Sequence, residues 1–197
     1  MYRSILLCAM LSATSALHAQ SAIPVRGTIT GLQGDVLSVT TREGRDLKIE
    51  LTKDTSVSYV KNVKLEDLKP GTPLGTTAVA GPDGKLVARE VHVSATGAFR
   101  TQGHFPMSVF PGATMTNGTV SAAATLSGGR ELTVTYEGGS KVVLIPPNTP
   151  VVVPVAADRS YLKNGEYVAL SAAMNNDGKL ATSRVQVSKD GVQPPAL

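Results

Sequence analysis

The sequence predicts an all-β protein, and three observations carry that prediction. The chain repeats itself at a period of about 94 residues, which is typical of an architecture that is built twice. The repeated segments are turn sequences, and the residues between them alternate between apolar and polar as half-buried strands do. The matching segments are residues 68–71 (LKPG) with 162–165 (LKNG), 82–86 (PDGKL) with 176–180 (NDGKL), and 91–93 (VHV) with 185–187 (VQV).

A hairpin is predicted early in each repeat. Residues 47–51 (LKIEL) alternate, so their three apolar side chains share one face of a strand, and Leu37 and Val39 give the same pattern just before them. Residues 42–45 (REGR) supply the turn between the two strands. The second repeat offers Leu132 and Val134, a turn at 137–140 and an apolar run at 142–144 in the same order, and we expect Val142 to lie in the core.

The later part of each repeat carries further turn signals. Residues 69–71 (KPG) and 163–165 (KNG) each predict a type II turn, because glycine accepts the positive φ that this turn requires. Asp-Gly pairs at 83–84 and 177–178 predict two-residue hairpin connections. The alternation slips in the final strand of each repeat, which indicates an extra residue. We therefore predict β-bulges near residues 89–90 and 183–184.

The number and length of the strands point to a fold class. About six short strands per repeat, with one bulge for curvature, suit a small closed barrel. The predicted fold is two tandem small β-barrels of the OB or SH3-like kind, with two small β-sandwiches as the alternative. The predicted units are a signal peptide at 1–19, a first barrel repeat at 20–95, an inter-repeat loop at 96–115, a second barrel repeat at 116–190 and a tail at 191–197.

Residues 1–19 predict a secretory signal peptide. A basic start at Arg3, an apolar run at 5–11 and small residues before the expected cleavage site fit that pattern. The apolar run is shorter than the roughly 20 residues that cross a bilayer. Cleavage removes Cys8, the single cysteine, and with it disulfide and thiolate chemistry. We expect a periplasmic or secreted protein with no membrane span after cleavage.

The charge pattern argues against nucleic acid as a partner. The 19 Lys and Arg residues and 15 Asp and Glu residues are interspersed, with Glu43 and Asp46 among those that interrupt the basic stretches. Proteins that bind nucleic acid gather their basic residues on one face. The expected partner is therefore a protein, a glycan or a small ligand.

The inter-repeat loop is the predicted ligand-binding segment. It breaks the strand rhythm, and long ordered loops are often functional. Its candidate ligand-binding residues are His104, Phe105, Met107, Phe110 and Met115, which lie among glycines and prolines. The alternative is a linker whose aromatic side chains pack between the barrels.

No metal site, cofactor or catalytic residue is predicted. A metal centre needs three or four converging ligands, and His92 is expected to face solvent because it alternates with inward-facing valines. His104, Met107 and Met115 offer the imidazole and thioether groups that suit Cu(I), but at loose spacing. The sequence has no nucleophile elbow, zinc-protease motif or phosphate-binding glycine loop, so we do not expect an enzyme.

A family resemblance rests on residues 103–106 (GHFP), 111–117 (PGATMTN), 158–160 (DRS) and 189–195 (KDGVQPP), together with the turns above. With these, the chain resembles a bacterial family of exported two-repeat proteins that carry a small-barrel domain of unknown function. Members are often labelled metal ABC transporter permeases, a label that would require several membrane spans. Members of the family that this chain resembles have a large polar or aromatic residue after the His-x-Pro motif. This chain has Met107 at that position.

The function expected from these features is an exported, non-enzymatic binding or interaction scaffold built from two barrel modules. The reason is that the scaffold is duplicated while no reactive cluster is. The alternative is a periplasmic accessory protein that handles metal for a metal ABC transporter, as the family label implies.

Overall fold

The computed structural model describes residues 22–99, 101–109 and 111–195. The predicted signal peptide at 1–19 and the candidate residue Phe110 lie outside the described residues. Twelve strands and two short 3-10 helices make up the described secondary structure, so the protein is all-β as predicted.

The strands follow one another along the chain with short connections. They are β1 (Ile23–Gln33), β2 (Val36–Thr41), β3 (Asp46–Asn62), β4 (Pro73–Ala80), β5 (Leu86–Val93), β6 (Gly103–Pro106), β7 (Thr114–Leu126), β8 (Gly129–Tyr136), β9 (Gly139–Ile145), β10 (Val151–Ala157), β11 (Tyr167–Met174) and β12 (Leu180–Val187). The 3-10 helices are Leu65–Asp67 and Arg159–Tyr161.

Five strands close into a barrel. They pair in the order β12-β11-β1-β2-β3, and β3 pairs with β12 in parallel to complete the ring. Its interior is a cluster of apolar side chains that includes Leu37, Ile49, Val168 and Val185, each fully buried. We call this unit the first barrel. Its closure does not fit the β-sandwich alternative.

A second set of strands follows the order β5-β4-β7-β8-β9, and β5 meets β9 again at Leu86↔Val143 and Val87↔Leu144. A separate apolar cluster lies inside this set and includes Leu74, Leu132 and Val134. We call this unit the second ring.

Both units combine strands from the two repeats. The first barrel takes β1, β2 and β3 from the first repeat and the β11–β12 hairpin from the second, and the second ring takes the β4–β5 hairpin from the first repeat. The prediction of two tandem barrels, one per repeat, is therefore not confirmed. Hydrogen bonds between strands of different repeats replace those expected within each repeat. The predicted boundaries of the two repeats therefore remain a prediction.

An antiparallel ribbon of β3 and β10 joins the two units. Val60 pairs with Pro154, which is its own counterpart in the other repeat, so a pseudo-two-fold axis passes through this pair. The pairs on either side obey the same relation, since Ser58↔Ala156 mirrors Asn62↔Val152. The two repeats thus face each other across this ribbon.

The predicted type II turns are confirmed. The Thr72 N–H donates to the Lys69 carbonyl at 3.0 Å, and Gly71 has φ of 92°. In the second repeat Gly165 has φ of 89° and the matching hydrogen bond closes at 3.1 Å. Both bulges are also confirmed, because the register of β4–β5 shifts beside Arg89 and that of β11–β12 shifts between Ala181 and Val185.

Two local predictions are wrong. The Asp-Gly turns are three-residue loops, since the Gly81 N–H donates to the Lys85 carbonyl at 2.7 Å and Gly84 takes the left-handed position. Val142 does not point inward: its side chain is 45% exposed, and Val143 is the buried residue of β9. Two adjacent valines cannot share one face of a strand, so the apolar run at 142–144 did not indicate which valine points into the core.

No helix among the described residues is long and apolar enough to cross a membrane.

Candidate functional site

A pocket of about 550 Å³ lies against the β3–β10 ribbon. Val60 and Val152, both about 2% exposed, are among its apolar lining residues. The segment 94–101, which leads out of β5, contributes Ser94, Phe99 and Thr101 to the lining. We call this the axial pocket, because the pseudo-two-fold axis passes through the pair Val60↔Pro154 and both residues line it.

Residues from equivalent positions of the two repeats line the axial pocket together. Three such pairs line it, namely Ser58 with Val152, Val60 with Pro154, and His92 with Gln186. The backbone therefore repeats while the side chains differ, so the pocket is chemically asymmetric.

Gly75 allows two polar side chains to approach each other. It lies on β4 between His92 on β5 and Asn117 on β7, and it pairs with both of them. A Cβ atom at this position would lie 2.3 Å from His92 Nε2 and 2.5 Å from Asn117 Oδ1. Both side chains therefore occupy the space that any other residue at 75 would fill.

His92 does not face open solvent, which corrects the expectation from the sequence. Its ring is half-buried, its Nδ1 atom is buried without a hydrogen-bond partner, and it contacts the Phe99 ring edge-on with the ring centroids 5.5 Å apart. Burial lowers the pKa of His92 to about 4. The alternation of β5 is as predicted, but on the side of the strand that faces away from the apolar cluster of the second ring, Phe99 contacts the His92 ring and Asn117 approaches it over Gly75.

Asn117 and Gln186 line the pocket, and each carries a buried amide oxygen. The Asn117 amide nitrogen donates to the Thr101 carbonyl at 3.1 Å, which fixes the orientation of the amide and directs Oδ1 away from that bond. Asn117 Oδ1 and Gln186 Oε1 are both buried without a partner. Three of the described protein's unpartnered buried polar atoms thus belong to residues that line this one pocket.

The pocket carries little charge. Arg184 is the one charged side chain among the described lining residues, and it is exposed. Serine and threonine hydroxyls make up much of the remaining polar surface, and some are already engaged, such as Ser94 Oγ, which donates to the Ala98 carbonyl at 2.7 Å.

The residues predicted to bind ligand lie beside the pocket and not in it. His104 and Phe105 are on β6, Met115 is on β7 opposite Phe105, and Met107 follows β6. None of these four lines the axial pocket. The part of the inter-repeat loop that does line it is the preceding stretch, through Thr96, Ala98, Phe99 and Thr101.

The imidazole and thioether groups suggested for Cu(I) are not assembled. His104 pairs with Thr116 and its Nδ1 lies 2.9 Å from the Thr116 hydroxyl, while Met115 is the next residue on β7 and points to the opposite face. Burial and the nearby Lys141 lower the pKa of His104. Within the described ranges, no group of three or more His, Cys, Asp or Glu side chains is placed to hold a metal ion.

One signal in the sequence points to this site. Gly75 interrupts the apolar strand PLGTTAVA, and glycine inside a strand often marks a close approach of other groups. The partners that approach it come from β5 and β7, and their pairing with β4 depends on contacts distant in sequence.

No family model, curated protein or solved structure matches the chain. The resemblance to the exported two-repeat family therefore stays a prediction.

Proposed function

We propose that this protein is an exported, non-enzymatic binding protein that holds a small ligand in the axial pocket. The observation that carries the proposal is the pocket itself, which measures about 550 Å³ and lies against the β3–β10 ribbon that joins the two units, with apolar and polar side chains from both in its lining.

Ligand sites in proteins are concave and mostly apolar, with a small number of polar groups. The axial pocket has this composition, since Val60, Val152 and Phe99 line it together with Ser94 and Thr101. The size of the pocket agrees, since ligand sites in proteins commonly measure about 300 to 1,000 Å³. A pocket at the junction of two units is also a common location for ligands.

The scaffold of this binding protein is a pair of small barrels that exchange hairpins. This is supported by the strand pairs that close the two units, which match. Leu180 pairs with Ile49 where β12 meets β3 in the first barrel, and their counterparts in the other repeat, Leu86 and Val143, pair where β5 meets β9 in the second ring. Exchange of identical elements between related units is a common route to paired domains. The pocket lies where the two barrels meet.

The chemistry of the pocket favours binding over catalysis. Its imidazole has a pKa of about 4, so at neutral pH it is a weak base. No carboxylate lies among the described lining residues to orient or activate that imidazole. Export is supported by the signal-like residues 1–19.

Native mass spectrometry of the protein purified from its own host tests this proposal, because it detects a bound molecule without assuming its identity. We expect one small molecule per chain. Gly75→Ala, which fills the space of the two polar side chains, should abolish the adduct. Gly31→Ala is the matched control, since a Cβ there has its nearest neighbour, Ser38 Cβ, at 3.9 Å.

A chain that carries no small molecule, or an adduct that survives Gly75→Ala unchanged, would contradict the proposal. Elemental analysis of the same sample tests the alternative of metal handling. A stoichiometric metal that is lost on substitution of His104 and Met107 would favour that alternative.

A further inference from the structure

We infer that residues 189–195, which follow β12, form a movable wall of the axial pocket, and that their release widens the entrance for the ligand. We call this segment the latch. The inference rests on the proposed function for its ligand, but the movement of the latch is a separate property that can be measured without one. Three observations carry it: where the latch lies, what holds it, and how the matching segment of the first repeat differs.

The latch leads from β12 to the pocket. It begins with a tight turn, in which the backbones of Lys189 and Val192 exchange hydrogen bonds of 3.1 and 2.9 Å. Asp190 and Gly191 at the tip both have positive φ, as the central residues of a type I′ turn do. The chain then reaches Pro195, which is buried and lines the axial pocket. Part of the pocket wall therefore belongs to a segment outside the twelve-stranded sheet.

The backbone of the latch is not bonded to the backbone of the sheet. The residue before it, Ser188, donates its N–H to the Tyr167 carbonyl on β11 at 2.7 Å. Among the described residues, every backbone–backbone hydrogen bond of 189–195 closes within the latch itself. Pro194 and Pro195 have no N–H to donate. Segments with few hydrogen bonds to their surroundings open locally, at a lower free energy than global unfolding requires.

A cation over two aromatic rings holds the latch against the first barrel. Tyr59 on β3 and Tyr161 in the second 3-10 helix are stacked, with their ring centroids 5.3 Å apart. The Lys189 ammonium lies 4.3 Å from the Tyr59 centroid and 5.5 Å from the Tyr161 centroid. The electron-rich face of an aromatic ring attracts a cation at this distance. This contact, together with the burial of the two prolines, sets how often the latch is released.

The matching segment of the first repeat is held in another way. The Ser94 N–H donates to the backbone of β4 at 2.9 Å, as Ser188 donates to β11, and Gly97 has φ of 82° where Gly191 has 78°. Ala95 takes the place of the lysine, so this segment has no cation at that position. Its chain continues instead into β6, which pairs with β7 over four residues. The sheet therefore holds this wall on both sides, while the latch depends on side-chain contacts.

Thiol labelling tests the movement without any ligand. The chain that begins at Gln20 has no native cysteine. Ser58→Cys places a thiol in the pocket, because Ser58 is a half-buried lining residue that pairs with Gln186 on β12. The probe is N-ethylmaleimide, and mass spectrometry gives its rate of addition. Thr96→Cys is the control, since Thr96 is an exposed lining residue on the matching segment and its labelling does not require release of the latch.

We expect Lys189→Met to raise the labelling rate of the Ser58→Cys protein by about threefold to tenfold, because it keeps the length of the side chain and removes the cation. Lys189→Arg keeps the cation and should stay within about twofold of the parent. A chain that stops after Gln193 lacks both prolines and should be labelled at least about tenfold faster. The Thr96→Cys control should change by less than about twofold in each case. Thermal unfolding confirms that every variant is folded.

The outcomes separate this inference from the proposed function. If neither Lys189→Met nor the shortened chain changes the labelling of the Ser58→Cys protein, the latch is not a movable wall. The inference also fails if Lys189→Arg accelerates labelling as much as Lys189→Met does. A ligand adduct in the native mass spectrum would then leave the binding function standing without this movement. If labelling responds as expected and no adduct is found, the latch moves and the proposed binding function fails.

Discussion

The two halves of the molecule pair their strands in the same way, but one half uses a single long strand where the other uses two shorter ones. In the first half, β3 runs without interruption from Asp46 to Asn62 and serves both the first barrel and the ribbon. In the second half the same course is divided between β9 and β10 by residues 146–150, which include three prolines. Proline cannot donate to a sheet, so the strand stops there. The register of β3 with β12 also jumps across residues 52–55, the positions that correspond to 146–149 in the second half.

The same comparison shows that the two halves share their strand pairing and differ in the side chains near the pocket. Asn117, Gly75 and His92 lie side by side on β7, β4 and β5. The equivalent row on β1, β11 and β12 holds Arg26, Ala169 and Gln186. The pairings are conserved between the rows while all three side chains differ. The two rows therefore share their backbone pairing and differ in their side chains, which makes the pocket asymmetric.

The largest expected effect tests whether the two cores are equivalent. Leu37 and Leu132 are both fully buried at matching positions. Leu37→Ala and Leu132→Ala should each lower the free energy of unfolding by about 3 to 5 kcal/mol, because each leaves a cavity. Chemical denaturation measures both. Val142→Ala, at an exposed position, is the control and should change the value by less than about 0.5 kcal/mol. A cost below about 1 kcal/mol for either leucine would show that its half lacks a packed core.

The next largest effect is on the pH dependence of stability, which should arise from His92 and not from its counterpart Gln186. The pKa of His92 is about 4 in the folded protein and near 6.5 when unfolded. Its contribution to stability is therefore complete above about pH 6.5 and is lost as the pH falls toward 4, which amounts to about 2 to 3 kcal/mol. His92→Gln, which copies the residue of the other half, should remove that loss. Unfolding free energies at pH 7 and pH 4.5 test this, and identical pH dependence in both proteins would refute the buried neutral imidazole.

A smaller effect tests the role of Gly75. Gly75→Ala should cost about 1 to 3 kcal/mol, because the new Cβ must displace the His92 ring and the Asn117 amide. Gly31→Ala has room for its methyl group and should be close to neutral. Thermal and denaturant unfolding of the two variants make the comparison. Equal stability would mean that His92 and Asn117 do not meet across Gly75.

The smallest effect concerns the matched turns. Gly71 and Gly165 both have positive φ, and a Cβ at either position meets open space. Gly71→Val and Gly165→Val should therefore each cost about 1 to 2 kcal/mol through backbone strain alone. Denaturant midpoints of the two variants should fall by similar amounts. Different losses would show that the turns are not equivalent in the folded protein.

Much of the local structure was predictable, and most of the site was not. The early hairpin, the turns at Gly71 and Gly165 and the two bulges depend on a few adjacent residues, so the sequence indicated them directly. Of the predicted inter-repeat loop, Thr96, Ala98, Phe99 and Thr101 line the pocket. His104, Phe105, Met107 and Met115 were attractive because of their side chains, but β6 pairs with β7 and places them beside the pocket.

The amino-acid sequence by itself determined the repeated strands, their turns and the direction of most side chains, because alternation and turn chemistry act over a few residues. Only the tertiary structure decided which hairpin joins which barrel. The β4–β5 and β11–β12 hairpins present similar edges, so pairing within a repeat and pairing across repeats satisfy the same backbone hydrogen bonds. That choice brings Asn117 to Gly75 and His92, and it places His92 and Gln186 in the lining of one pocket. The pocket arises from long-range pairing that no local pattern records.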